Sequence, residues 1–407
     1  MNTYLLLLEL SFYAFTVYLF LRKEELSIIY LPVLFFTRSI IEPSTPAILW
    51  YMILAVMVGY IILNNEGFSR NNPYAILLVI YFTILLLLSS DIASVRAHYT
   101  ASVVFFLSIP LIYNIYGKYD RSFIEEEIYN MSIIVALLFI SNVVMSSITG
   151  FSGERGMYGF SGILYGNLTS SDFNIVPVAL FFILYKLADR YNTPSMLIAF
   201  LTFTFLILSM RRSVMVAAVA AVGVFVLILA TRENKSAVFK TIGAVVTVLV
   251  ITLLNTDLLD TFRERYESRG LSEGEFVSTE EGRFVEYGLV YTDMFVEKRY
   301  SPVFGHELFN SGGNYGNEIF GRRSLHSDIT VIVHASGILG LLLYLLMIFK
   351  SFHLSYLSAL NIEDKLILLF CAGALLIFSF SGRFTAADYM IVLFLYIFLP
   401  TAYMVEE

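Results

Sequence analysis

Long apolar runs separated by short polar joints fill most of this chain, and one long polar segment breaks the pattern. The runs cover 4–21, 26–41, 46–63, 74–88, 99–116, 131–149, 174–188, 194–210, 213–230, 237–254, 329–349, 364–380 and 388–403. A helix needs roughly 17–25 apolar residues to cross a bilayer. Backbone groups in lipid must be satisfied within their own segment, so each run predicts a helix. Single prolines such as Pro32, Pro110 and Pro177 do not overturn this, because neighbouring helices and water re-satisfy the freed carbonyl. Runs 26–41 and 74–88 are short, which leaves about twelve or thirteen spans. The expected fold class is therefore all-α: a polytopic integral membrane protein with one large loop outside the membrane that contains an amphipathic helix. The expected organisation is a transmembrane bundle over 1–254, the large loop over 255–328, and C-terminal transmembrane helices over 329–407.

Composition agrees. The chain has 407 residues, 58% hydrophobic and 14% charged, where a soluble domain carries about 25% charge. This excludes a string of soluble domains. The first run (Tyr4–Leu21) lacks a basic N-terminal region before it and a small-residue cleavage site, so a retained span is expected rather than a signal peptide. A single cysteine, Cys371, excludes an internal disulfide and a cysteine-based metal site. The histidines and carboxylates show no HExxH or DxD spacing, and no Gly-rich nucleotide loop is present. Metal-free chemistry is expected, with no cofactor and no nucleic-acid partner.

Charge position sets orientation. Taking alternate joints, one side carries Arg22, Lys23, Arg70, Lys118, Arg121, Lys186, Arg190, Arg232, Lys235, Lys240, Lys350 and Lys365. That side is the cytoplasm by the positive-inside rule, and the long loop faces the other way. Lys298 is the one lysine on the far side, yet Arg38, Arg96, Arg155, Arg211, Arg212 and Arg383 stand there as well as the arginines of the loop. Topology alone would thin out both residue types. Retained arginine points to its planar fork of donors, which binds phosphate bidentately. Ion pairing with Glu264, Glu267, Glu280 and Glu281 is the alternative.

The loop can be parsed further. Ser278–Glu281 has the form of a capping box. Beyond it, Phe284, Tyr287, Gly288, Tyr291, Met294 and Phe295 fall at helical spacing, which predicts an amphipathic helix over 279–298. Arg283 stands near its N-terminal end, where free amides favour an anion. Pro302 and Gly305 mark a turn, and Ser311–Asn314 a flexible hinge. Arg322 and Arg323 precede His326, and Ser327 or Asp328 can cap the following helix. His326 then sits at a positive helix end, which favours the neutral imidazole that a general base requires. His306 follows a turn and is a possible substrate contact. His98 and His353 stand at membrane edges, and His334 reads as an interior hydrogen-bonded histidine. Two other outward connections stand out. Arg211 and Arg212 form a tight joint, and 150–173 is rich in Gly, Ser and aromatic residues that suit a sugar or a plain flexible turn.

Three groups of residues resemble the bacterial O-antigen ligase/polymerase superfamily of polytopic glycosyltransferases. Ser209-Met-Arg-Arg-Ser213 resembles that family's Ser-Arg pattern at a helix end. Gly282-Arg283, Tyr287 and Ser301-Pro-Val-Phe-Gly305 resemble its loop pattern. His326 followed by Gly337-Ile-Leu-Gly340 resembles its post-loop helix. The likeness covers about 200–349 and departs at Ser327, Ala335 and Glu307. It implies transfer of a glycan from an undecaprenyl-diphosphate carrier to an acceptor sugar, outside the bacterial inner membrane, which makes the large loop periplasmic. On this reading Arg211, Arg212 and Arg283 neutralise the diphosphate, His326 takes the acceptor proton, Arg322 and Arg323 guide substrate, and Tyr287 and His306 are possible contacts. A polymerase using a second lipid-linked repeat unit is favoured, with a chain-length regulator and a flippase as possible partners. A ligase acting on lipopolysaccharide core is the alternative. A lipid or polysaccharide transporter is the rival from another class; it would need a polar path, and the predicted spans carry few mid-membrane charges.

Overall fold

The computed structural model describes residues 3–41, 45–149, 164–168, 172–209, 211–232, 243, 282–381 and 385–402. Among these the chain is all-α, with no strand beyond an isolated bridge between Ser301 and Gly305. The helices are α1 (Thr3–Lys23), α2 (Leu31–Ile40), α3 (Ala47–Leu63), α4 (Pro73–Leu87), α5 (Ile92–Tyr116), α6 (Arg121–Thr149), α7 (Ile175–Asp189), α8 (Thr193–Leu208), α9 (Arg212–Thr231), α10 (Gly282–Tyr291), α11 (Asp328–Ser358), α12 (Ile362–Ser381) and α13 (Ala387–Ile397).

A helix lies on every predicted run whose residues are described; the run 237–254 falls outside them. The differences have local causes. Run 26–41 divides into a 3-10 turn (Glu24–Tyr30) and α2, because Pro32 starts a helix more readily than it continues one. α5 begins at Ile92, ahead of its apolar run, because Asp91 caps it by accepting from the Ser94 amide at 3.1 Å. α6 likewise begins at Arg121, where Asp120 accepts from the Ser122 amide at 2.7 Å. Four described helices are long and apolar enough to cross a membrane: α5, α6, α9 and α11.

The chain forms two compact units, one of residues 1–127 with 279–407 and one of residues 128–278. In the first, α13 packs against α2, α5 and α12, and every one of its residues is buried. A helix apolar all round has no amphipathic stripe and must be enclosed by others. The two ends of this unit differ in chemistry. At one end Lys118 pairs with Glu25 at 2.8 Å, Lys23 with Glu127 at 2.7 Å, and Arg121 with Asp364 at 2.6 Å. The other end holds the start of α11 and the loop before it, where Ser90 donates to Glu307 at 2.9 Å. In the second unit α7 packs against α8 and α9, and Arg232 pairs with Asp189 at 2.7 Å.

α11 is broken at Gly337, where φ is 64° and ψ is −167°. The turn 301–306 plugs the break. Pro302 O accepts from Ile338 N at 2.9 Å and Val303 O from Leu339 N at 3.3 Å, while His306 N donates to His334 O at 2.8 Å. Tyr81 Oη donates to Ser336 O at 2.8 Å. A break in a membrane helix is tolerated when its freed backbone groups find such partners. Contact is so close that a Cβ on Gly337 would lie 2.2 Å from Val303 O, and one on Gly305 would lie 2.6 Å from Ser336 N. The Pro302–Gly305 turn and the Gly337–Gly340 segment, separate signals in the sequence, are thus two halves of one joint.

Candidate active site

α10 continues through a wider π turn over Thr292–Val296. Its buried face runs through Glu286, Val290, Asp293 and Met294. That is a rotation from the expected stripe, for Tyr291 is 60% exposed and Gly288 is exposed. The physical reason is two buried carboxylates. Asp293 accepts from Gly316 N at 2.6 Å, which ties the helix to the loop that follows it. Glu286 is completely buried and faces the start of α11. The capping box at 278–281 and the side chains of 282–284, Arg283 included, lie outside the described residues.

Glu286 gathers the site. Its carboxylate accepts from His326 N at 3.0 Å, lies 2.9 Å from His326 Nδ1, and pairs with Arg323 Nη2 at 2.8 Å. Arg323 Nε also approaches His326 Nδ1 at 3.3 Å. Nδ1 cannot donate to Glu286 and accept from Arg323 at once. A lone pair facing a carboxylate at 2.9 Å would be repelled, so the consistent tautomer carries its proton on Nδ1 and donates to Glu286. Nε2 is then the basic nitrogen, on a side chain 31% exposed. A buried carboxylate that fixes the imidazole tautomer and stabilises the imidazolium is the arrangement of a general base with its orienting partner. Burial pushes the Glu286 carboxyl up, but the hydrogen bonds from His326 and the charges of His326 and Arg323 outweigh it and hold the carboxyl below its ordinary range.

That shift has a sign that can be tested. A carboxyl held low stabilises the fold above its ordinary pKa, and the stabilisation is lost as pH falls through the folded value. Glu25 and Glu307 are also held low by their hydrogen bonds, against the opposing effect of burial, so the difference between proteins is informative. As pH falls below about 4.5, the melting temperature of the native protein should fall more steeply than that of Glu286→Gln. Parallel melting curves would show that Glu286 is not charged in the folded state.

Ser327 holds the residue next to His326. Its Oγ bonds the Tyr287 hydroxyl and donates to Ser379 O at 3.0 Å. Ser327 occupies the N-cap position of α11, yet its side chain makes no capping bond, being turned to these two partners instead. Tyr287 is thereby a support of the site. His306 is half-buried, its ring 4.2 Å from that of Tyr300, and burial lowers its pKa. His334 lies in the interior, as expected, where its Nε2 bonds Asn314 O at 2.8 Å. The expected hinge at 311–314 is instead an ordered turn. Ser311 is buried, accepts from Leu325 N at 3.2 Å, and is closed by Asn314 N donating to Ser311 O at 3.1 Å.

The arginines divide. Arg323 belongs to the cluster with Glu286 and His326, and Arg322 is exposed. In the second unit, Arg211 is the N-cap residue of α9 with its guanidinium 4.5 Å from the Phe173 ring, and Arg212 is the exposed first residue of that helix. The helix therefore starts one residue earlier than the apolar run. Most of 150–173 lies outside the described residues. Among the described residues, no group of three or more His, Cys, Asp or Glu side chains is arranged to hold a metal.

Sequence reading overlooked Glu286. The available signal was an acid in register with Val290 and Met294, on what turns out to be the buried stripe of α10. Beyond this chain's own geometry, no protein-family model and no curated protein matches it.

Proposed function

We propose that the chain is a multi-pass protein of the bacterial inner membrane that transfers a glycan from an undecaprenyl-diphosphate carrier to the acceptor sugar of another lipid-linked repeat unit. The observation that carries this reading is the buried Glu286 carboxylate beside His326 Nδ1, which leaves Nε2 as a base at the mouth of a long apolar helix. The lysine-bearing end of the first unit is the cytoplasmic end and the end holding His326 faces the periplasm, by the positive-inside rule.

In this mechanism the acceptor hydroxyl approaches His326 Nε2. As its oxygen bonds to the anomeric carbon, the bond from that carbon to the diphosphate oxygen breaks, and the hydroxyl proton passes to Nε2. Glu286 stabilises the imidazolium that forms, and Arg323 holds Glu286 in place. Charge growing on the leaving diphosphate requires cationic donors. Arg283, Arg211 and Arg212 are proposed for that role from the family resemblance, with Arg322 guiding substrate. Attack opposite the diphosphate inverts the anomeric centre.

The test is transfer from purified lipid-diphosphate donor, normalised to folded protein. Lysine keeps charge but presents no bidentate fork. Arg212→Lys and Arg283→Lys should each insert normally and transfer poorly, with alanine worse. Full activity of both lysine variants would defeat the diphosphate role. Activity abolished by EDTA would defeat a metal-free mechanism. Transfer to lipopolysaccharide core but not to a second repeat unit would reassign the chain as a ligase.

A further inference from the structure

Away from the Glu286–His326 cluster, the first unit contains a cavity of about 210 Å³ among the ends of α2, α3 and α5, lined by Arg38, Trp50, Tyr51, His98, Thr100 and Thr385 with apolar neighbours. Arg38 stands in the last turn of α2 with its guanidinium 4.8 Å from the Trp50 ring centroid. Its Nη1 is buried without a hydrogen-bond partner, and it forms no ion pair among the described residues. Glu9, whose charge reaches Arg38, is engaged by the Tyr13 hydroxyl at 2.7 Å and the Thr45 amide at 2.9 Å. An arginine fixed on an aromatic face, with one donor atom buried and unpartnered among the described residues, is suited to a further anion.

Size and surroundings narrow the ligand. A cavity of about 150 Å³ holds benzene and drug-sized ligands need about 300–1,000 Å³, so this one has the size of a single small headgroup. Arg38, Tyr51, His98 and Thr100 among the lining residues carry polar hydrogens, and a phosphate accepts through three oxygens. His98 and Thr385 also line a smaller adjoining space of about 30 Å³, which reaches Leu325, the neighbour of His326.

We infer that this cavity binds the phosphate of a small phosphate ester, with Arg38 as the principal ligand and the Tyr51 hydroxyl as a second donor. The inference concerns binding alone and stands whether or not the chain transfers glycans.

Trp50 is the chain's single tryptophan, so its fluorescence reports on this site without a label. Purified full-length protein in neutral detergent would be titrated with short-chain phosphatidic acid, with the matching diacylglycerol, and with inorganic phosphate. A saturable change in emission is expected with phosphatidic acid and none with diacylglycerol. Saturation by inorganic phosphate to the same amplitude assigns a soluble phosphate; saturation by the lipid alone assigns a membrane-borne one. Arg38→Gln should weaken binding about tenfold or more. Tyr51→Phe, which removes one donor and almost no volume, should weaken it less, and it keeps the test available if Arg38→Gln does not fold. No saturable response to either phosphate probe overturns the inference. So does an unchanged titration in a folded Arg38→Gln protein, or in Tyr51→Phe should Arg38→Gln not fold.

Discussion

Replacing His326 with alanine is expected to slow glycan transfer about 10²- to 10⁴-fold, the usual contribution of a positioned general base. The protein should remain folded, because His326 is partly exposed and, among the described residues, its ring bonds to Glu286. Glu286→Gln is the sharper partner experiment. Glutamine keeps the shape but loses the charge that sets the tautomer, and its amide can donate to Nδ1 and move the ring proton to Nε2. A wrong tautomer in an otherwise intact site costs as much as losing the base, about 10⁴-fold in the serine-protease case. Glu286→Gln should therefore be nearly as slow as His326→Ala, and the double variant no slower than either alone. The pH–rate profile of Glu286→Gln should lose its acidic limb at the position seen in the native protein. Near-normal transfer by His326→Ala removes it as the base. Additive losses in the double variant would mean that Glu286 and His326 act separately.

Gly337→Ala is expected to cost the fold, and transfer only as a consequence. The φ and ψ of Gly337 lie in a region open essentially to glycine, and holding another residue there costs about 1–3 kcal/mol. The new methyl group would also collide with Val303 O, which is backbone and cannot swing aside. The turn 301–306 would have to leave the break, and the amides of Ile338 and Leu339 would lose their acceptors inside an apolar helix. A large drop in melting temperature and in folded yield should follow. Gly373→Ala is the control: a Cβ there meets nothing within 4 Å, and alanine favours a helix. A Gly337→Ala protein as stable as the native one would mean that the turn does not depend on the break.

The helices were legible because long apolar runs dictate them, and their polar extensions at Asp91 and Asp120 were not, because capping is a contest between a side chain and water. His326 and Arg323 were legible as chemistry at a helix entrance. Glu286 was not, since its importance lies in a partner forty positions along the chain, and nothing local distinguishes a buried acid from a solvated one. The same limit applies to the orientation of α10. Its sequence offers an aromatic stripe, but two acids that find partners in the folded chain can be buried in its place. Arg38 was visible as an arginine on the unexpected side, and only the fold shows that its guanidinium lies on Trp50 with Nη1 buried and unpartnered among the described residues.

The joint between the 301–306 turn and α11 is made by main-chain atoms. Carbonyls and amides of Pro302, Val303 and His306 meet those of His334, Ile338 and Leu339, and the side chains of Val303 and Phe304 point away, about half exposed. Main-chain bonds do not depend on which side chains the turn carries. The glycines at 305 and 337 fix the joint, while Val303 and Phe304 are left to vary without disturbing it. A loop fastened in this way acts as an interchangeable cassette: its outward residues can be exchanged while its attachment to α11 stays the same.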